Sequence, residues 1–154
     1  ASWVMQIADI MTSPVETTFP GAAAEAAREQ MKRRGCHHLV VMEGGRIAGV
    51  LSERDLGGRT GAAARNRTVA DLMSAPAVTA RADMTLRRAA NLMRGRALGC
   101  IVVVNERDKL AGILTISDLL EQIGRGSVRP TAESVRWTLS GRGPRHRVPP
   151  SRQV

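Results

Sequence analysis

Ser52 and Asp55 stand three residues apart, and so do Thr115 and Asp118. Each pair lies in the same phrase. Gly49-Val50-Leu51-Ser52-Glu53-Arg54-Asp55 is echoed by Gly112-Ile113-Leu114-Thr115-Ile116-Ser117-Asp118: glycine, two aliphatics, a hydroxyl residue, two variable positions, aspartate. The aliphatics predict the end of a buried strand, and the residues after them predict the first turn of a helix. A hydroxyl and a carboxylate at such a junction have two uses. One is a capping box, in which the hydroxyl accepts from the third helical N–H and the aspartate accepts from the cap's own N–H. The other is a nucleotide grip. A helix N-terminus favours phosphate, the hydroxyl adds a donor, and the carboxylate accepts from two ribose hydroxyls. A single copy favours the capping box, a common helix start; the repetition shifts the balance towards the grip.

Other reactive residues fit their chemistries less well. Cys36-His37-His38 has metal-ligand types, but adjacent residues entering a strand point to opposite faces and do not converge on one ion. Strand-edge packing is the simpler account. No Gly-x-Ser-x-Gly elbow surrounds Ser52, and no acid is evident to orient either histidine, so acyl transfer has no support. Neither a Gly-x-x-x-x-Gly-Lys-[Ser/Thr] nor a Gly-x-Gly-x-x-Gly run occurs. The chain therefore reads as non-catalytic, with no metal expected.

The elements that hold these residues are themselves doubled. Ile7-Ala8-Asp9-Ile10-Met11-Thr12-Ser13-Pro14 returns as Val69-Ala70-Asp71-Leu72-Met73-Ser74-Ala75-Pro76. After each proline comes an extended segment, Val15 to Phe19 and Ala77 to Arg81. Helical spacing follows over Ala22 to Arg34 and Thr85 to Arg96, with Gly35 predicted to end the first helix and Asp83 to cap the second. Strands are predicted at Leu39 to Met42 and Ile101 to Val104, each turning into a second strand that ends at Leu51 or Leu114. Their unbroken aliphatic runs predict sheets covered on both faces. A short helix after Asp55 and a longer one through Ile123 close the units. This gives two β-α-β-β-α repeats, residues 5–60 and 68–124, joined by a linker at 61–67 within a glycine-rich, mobile stretch from Gly57.

Composition limits the rest. Apolar residues make up 43% of 154, and Trp3, Phe19 and Trp137 are all the aromatics, so the core is aliphatic. The formal charge is +9, and from Arg125 onward seven arginines face Glu133 alone. Residues 125–154 form a basic tail rich in proline and glycine, with a short helix predicted at 131–139 presenting Val135, Trp137 and Leu139. A solvated extension is the plain reading of that tail; salt-dependent nucleic-acid binding through its arginines is the rival. Cys36 and Cys100 make no disulfide framework, and neither an apolar leader nor a bilayer-length apolar run is present. A reduced, cytoplasmic protein is expected.

The doubled opening, the element order and the doubled closing phrase together resemble a tandem CBS (cystathionine beta-synthase) domain pair, or Bateman module, over about Met5 to Gly124. The resemblance implies an α/β fold with pseudo-twofold symmetry and clefts that bind adenosine derivatives: AMP, ADP, ATP or S-adenosylmethionine. It implies a homodimer, a flat disc of two pairs, and an unidentified protein partner that reads ligand occupancy. Carried onto this chain, Ser52 and Thr115 face phosphate, while Asp55 and Asp118 hold ribose. The base lies between the post-proline segments (Val15 to Thr17, Ala77 to Thr79) and the strand starts His38-Leu39 and Cys100-Ile101. Arg54 adds charge to a phosphate where the second copy has Ser117, so its cleft is expected to prefer the more highly charged nucleotide. Val40 and Val102 depart from the family, whose members often have proline there.

Overall fold

A computed structural model describes residues 4–124. The expectations for the basic tail, including the helix at 131–139 and Trp137, lie outside the described residues.

Each repeat builds one three-stranded sheet. In the first, β1 (Thr17–Thr18) runs parallel to β2 (His38–Glu43), which pairs antiparallel with β3 (Arg46–Ser52). In the second, β4 (Thr79–Arg81), β5 (Cys100–Val104) and β6 (Leu110–Thr115) repeat that order. Helix α1 (Ala24–Arg34) connects β1 to β2, and α3 (Leu86–Gly95) connects β4 to β5. The short α2 (Val69–Leu72) opens the second repeat, and α4 (Ile116–Gly124) closes it. Gly35 ends α1 in the left-handed region, φ 64°, where glycine carries no Cβ penalty. The cap of α3 is Thr85, whose Oγ1 accepts from Arg88 N at 3.3 Å, and not Asp83 as the sequence suggested. Asp83 stands two residues too early to reach the first free N–H groups.

The aliphatic strands are covered on both faces, as their unbroken runs required. Leu39, Val41 and Leu51 turn towards α1 and pack with Ala24, Ala27 and Met31. Ile101, Val103 and Leu114 turn towards α3 and pack with Ala89 and Met93. The alternate residues Val40, Val50, Val102 and Ile113 meet between the two sheets. Val40 and Val102 are fully buried there, each worth roughly 2 kcal/mol of apolar burial. Their N–H groups also donate to Glu16 O (3.1 Å) and Val78 O (3.0 Å), holding β1 and β4 in place. Proline at either position would forfeit that bond, so valine here suits a tightly paired strand start.

The opening phrase of each repeat packs on the other repeat. Ile7 N donates to Met84 O and Leu86 N to Met5 O, both at 2.9 Å, so the first opening lies on the second repeat. Conversely, Val69 N donates to Ala22 O and Ala24 N to Arg67 O, also at 2.9 Å. Asp9 and Asp71 secure these openings by accepting from Gln6 N (2.7 Å) and Thr68 N (2.9 Å). Each exchanged segment then bridges to the partner's last strand: Thr12 with Ile113, Ser74 with Val50. This explains the glycine of the closing phrase. A Cβ on Gly49 would collide with the Ser74 carbonyl oxygen, and one on Gly112 would lie 2.6 Å from Met11 Sδ and 3.0 Å from Thr12 O.

The stretch after Asp55 corrects two expectations. The predicted helix is a single 3-10 turn, Arg54–Leu56. The expected mobile linker forms two more such turns, Gly58–Thr60 and Ala62–Ala64, with Ala64 in the core and Arg28 Nη2 donating to Arg59 O at 2.7 Å. Glycine marks tight turns here. Gly57 takes φ 92°, and a Cβ on it would lie 2.8 Å from Ala63 N.

Candidate functional site

Both hydroxyl–carboxylate pairs close capping boxes. Ser52 N donates to Asp55 Oδ2 at 2.8 Å while Asp55 N donates to Ser52 Oγ at 3.2 Å. Thr115 and Asp118 repeat the geometry at 2.8 and 3.2 Å. The capping use does not exhaust these groups. A hydroxyl oxygen that accepts one N–H keeps its own proton to donate, and a carboxylate with one oxygen engaged keeps the other as acceptor. The two uses open in the sequence are therefore compatible. A third element of the expected grip is absent in the first copy, because one three-residue turn after Ser52 sums no helix dipole.

The pairs differ in what stands in front of them. Ser52, Arg54 and Asp55 face a cavity of about 800 Å³. Its other walls come from the second repeat: Pro76 to Val78 after the exchanged opening, Gly99-Cys100 at the start of β5, and one side of α3. Cross-packing of the repeats thus sets the carboxylate of one against the post-proline segment of the other. His38, Thr115 and Ser117 also line the cavity.

Of the residues singled out in the sequence, Ser52, Arg54, Asp55, His38, Ala77, Cys100 and Thr115 come together around this space. Leu39 and Ile101 are fully buried on the helix-facing sides of their sheets, because alternation along a strand turns them away from the cleft. Val15 packs against the cluster between the sheets. Thr17 and Thr79 are exposed, paired in register with Val40 and Val102. Asp118 is not among the cavity residues; its free oxygen, Oδ1, accepts from Thr12 Oγ1 at 3.2 Å.

Two features escaped the sequence reading. His37 does have an acid partner: its Nδ1 lies 2.5 Å from Glu53 Oε2 at the cavity rim, and its carbonyl accepts from Glu53 N. The pair is sixteen residues apart in sequence and becomes adjacent only because β2 and β3 pair His38 with Ser52. The second feature is the α3 wall, Ala90, Met93 and Arg94. Helical spacing alone would have put these residues on one face.

Burial sets the protonation of the groups deepest in the cleft. Desolvation, with the negative charge of Asp55 adding to it, pushes the Cys100 thiol up to about 11. Desolvation lowers the His38 imidazole and neighbouring His37 adds to this, against the opposing pull of Asp55 and Asp118. Both side chains favour their neutral forms. Among the described residues, no cluster of three or more His, Cys, Asp or Glu side chains is placed to hold a metal ion. Nor is any described helix long and apolar enough to cross a membrane.

The CBS domain signature matches residues 7–56 and 69–125. The chain belongs to the CBS domain family. It is 30% identical over 115 residues to the CBS domain-containing protein YhcV of Bacillus subtilis, covering 73% of this chain and 81% of that one. It is 27% identical to a homoserine O-acetyltransferase of Methanohalophilus mahii over 80% of its own length, but spans only 25% of that enzyme. Among solved structures, CBSX2 in complex with AMP superposes with a TM-score of 0.65 at 25% identity, covering 79% of this chain and 99% of that one. The cytosolic domain of the Mg2+ channel MgtE in complex with ATP gives 0.65 at 27% identity, over 77% of this chain and 48% of that one. The arrangement described above is thus a CBS domain pair.

Proposed function

We propose that this CBS pair is a regulatory module that binds an adenosine derivative in the Asp55 cleft and passes its occupancy to a partner protein. The observation that carries the reading is the cavity of about 800 Å³ joining Ser52 and Asp55 to Ala77 and Cys100 of the other repeat. In this reading the free Asp55 oxygen accepts from ribose hydroxyls, and the Ser52 hydroxyl donates to phosphate. Adenine lies between the Ala77 segment and the start of β5, against apolar walls that provide stacking surface. The AMP and ATP held by CBSX2 and MgtE support the ligand class.

A homodimer is part of the proposal. Ile116, Leu120 and Ile123 form an exposed apolar line along α4, at a spacing that suits helix packing against a second copy. Light scattering should give twice the chain mass for the wild type and one chain mass for Leu120→Glu.

The ligand is tested by thermal shift with AMP, ADP, ATP and S-adenosylmethionine. A ligand at a hundred times its dissociation constant adds about 2.7 kcal/mol and raises Tm by several degrees. A flat response to all four compounds rejects the reading.

A further inference from the structure

Helix α3 meets the cleft through Ala90, Met93 and Arg94. Two of these are apolar, and Arg94 is the exception. Its guanidinium makes one hydrogen bond among the described residues, a long 3.5 Å contact to Asn91 Oδ1 on its own helix. Arg54, on the facing repeat, shows no ion pair either, since the ion pairs among the described residues are Arg34–Glu16 and His37–Glu53. Glu53, which precedes Arg54 in sequence, is engaged by His37. Among the described residues the cleft offers two guanidinium groups from opposite repeats without acid partners, facing the Asp55 carboxylate and a Glu53 carboxylate already paired with His37.

That balance of charge selects a ligand. Guanidinium forks match phosphate oxygens in pairs and hold them through charge-assisted bonds. One phosphate beside Ser52 and Arg54 leaves Arg94 unanswered, whereas a longer phosphate chain engages both. We infer that Arg94 makes the Asp55 cleft a nucleoside polyphosphate site and is the residue that discriminates a di- or triphosphate from a monophosphate. A sulfonium ligand meets the same two positive charges, with Asp55 assigned to ribose and Glu53 paired with His37. The inference rests on the nucleotide reading above, and it adds a residue from outside the repeated phrase.

The test is calorimetric titration of the full chain at fixed salt with ATP, AMP and inorganic tripolyphosphate, comparing wild type with Arg94→Ala and Arg88→Ala. Arg88 lies on the same helix and is exposed but does not line the cleft, so it controls for general loss of positive charge. The wild type should bind ATP about tenfold or more tighter than AMP, and Arg94→Ala should weaken ATP and tripolyphosphate about tenfold with AMP changed less than about twofold. Arg88→Ala should behave as wild type. If AMP binds and the ATP-to-AMP ratio survives Arg94→Ala, or falls equally in Arg88→Ala, the assignment of Arg94 is overturned while the nucleotide reading stands. If neither nucleotide binds the wild type, both fall together.

Discussion

The corners around Asp55 and Asp118 share a backbone and differ in their surroundings. In each, a glycine lets the exchanged opening approach, a hydroxyl and an aspartate close the same box, and an aliphatic pair anchors the strand beneath. Around Asp55 stand a large cavity, Arg54 and a free carboxylate oxygen. At Asp118 the corresponding oxygen is held by Thr12, and Ser117 replaces the arginine. The residues that hold the chain in shape repeat; those that would touch a ligand have diverged. A duplicated frame can thus keep two matching joints while the side chains around them diverge.

The sharpest break of this comparison is at the glycines. Gly49→Ala sets a methyl against the Ser74 carbonyl, a backbone atom bonded into the sheet, whereas Gly112→Ala meets first the flexible end of Met11. Urea denaturation should therefore show a loss of about 3 kcal/mol for Gly49→Ala and about 1 to 2 kcal/mol for Gly112→Ala. Equal losses would mean that the two approaches are not as different as the contacts imply.

Removing the carboxylates separates framework from ligand. Asp55→Ala and Asp118→Ala each delete one half of a capping box and should lower stability by about 1 kcal/mol, Asp118→Ala somewhat more because the Thr12 bond is lost as well. Their effects on nucleotide should diverge. Titration should show about fiftyfold weaker binding for Asp55→Ala, as expected for a lost charge-assisted ribose contact, and little change for Asp118→Ala. Matching losses of affinity would indicate that both corners hold ligand.

Cys100 and His38 occupy equivalent positions at the two strand starts, paired with Thr115 and Ser52, and burial acts on both through the same physics. With its thiol pushed up to about 11, Cys100 is almost wholly protonated at pH 8. Alkylation followed by mass spectrometry should run on the order of a hundredfold slower than for a small free thiol and accelerate towards pH 11. Labelling at the free-thiol rate would show an open, wet site. The smallest effect is expected at His38. Its folded-state value lies below the ordinary imidazole value, so the unfolded chain takes up a proton first as the pH falls. Stability should decline as pH drops below about 6.5, and His38→Gln should flatten that decline without altering stability at pH 8. An unchanged pH profile in the variant would assign the decline to other groups.

The duplication, the element order and the doubly covered sheets were legible in the residues, because period, glycine and aliphatic runs are local signals. The exchange of the openings was not. Ile7 and Val69 read as the first residues of their own repeats, and only long-range contacts show that each is buried in the other. The same limit hid the His37–Glu53 pair, made by strand register, and Arg94, which carries no motif. It also explains the stretch from Gly57, where composition predicted mobility and Ala64 proved to be core. Seven of the site residues that the family resemblance implied gather at one cavity, while Leu39 and Ile101 lie on the opposite faces of their strands.

The most direct measurement is a crystal structure of the full chain grown with ATP. The account predicts ribose oxygens within hydrogen-bonding distance of Asp55, the base against Ala77 and Cys100, and the phosphates reaching Ser52 and the arginines. Nucleotide seated at Asp118 instead, or an Asp55 cleft still empty at saturating ATP, would contradict it.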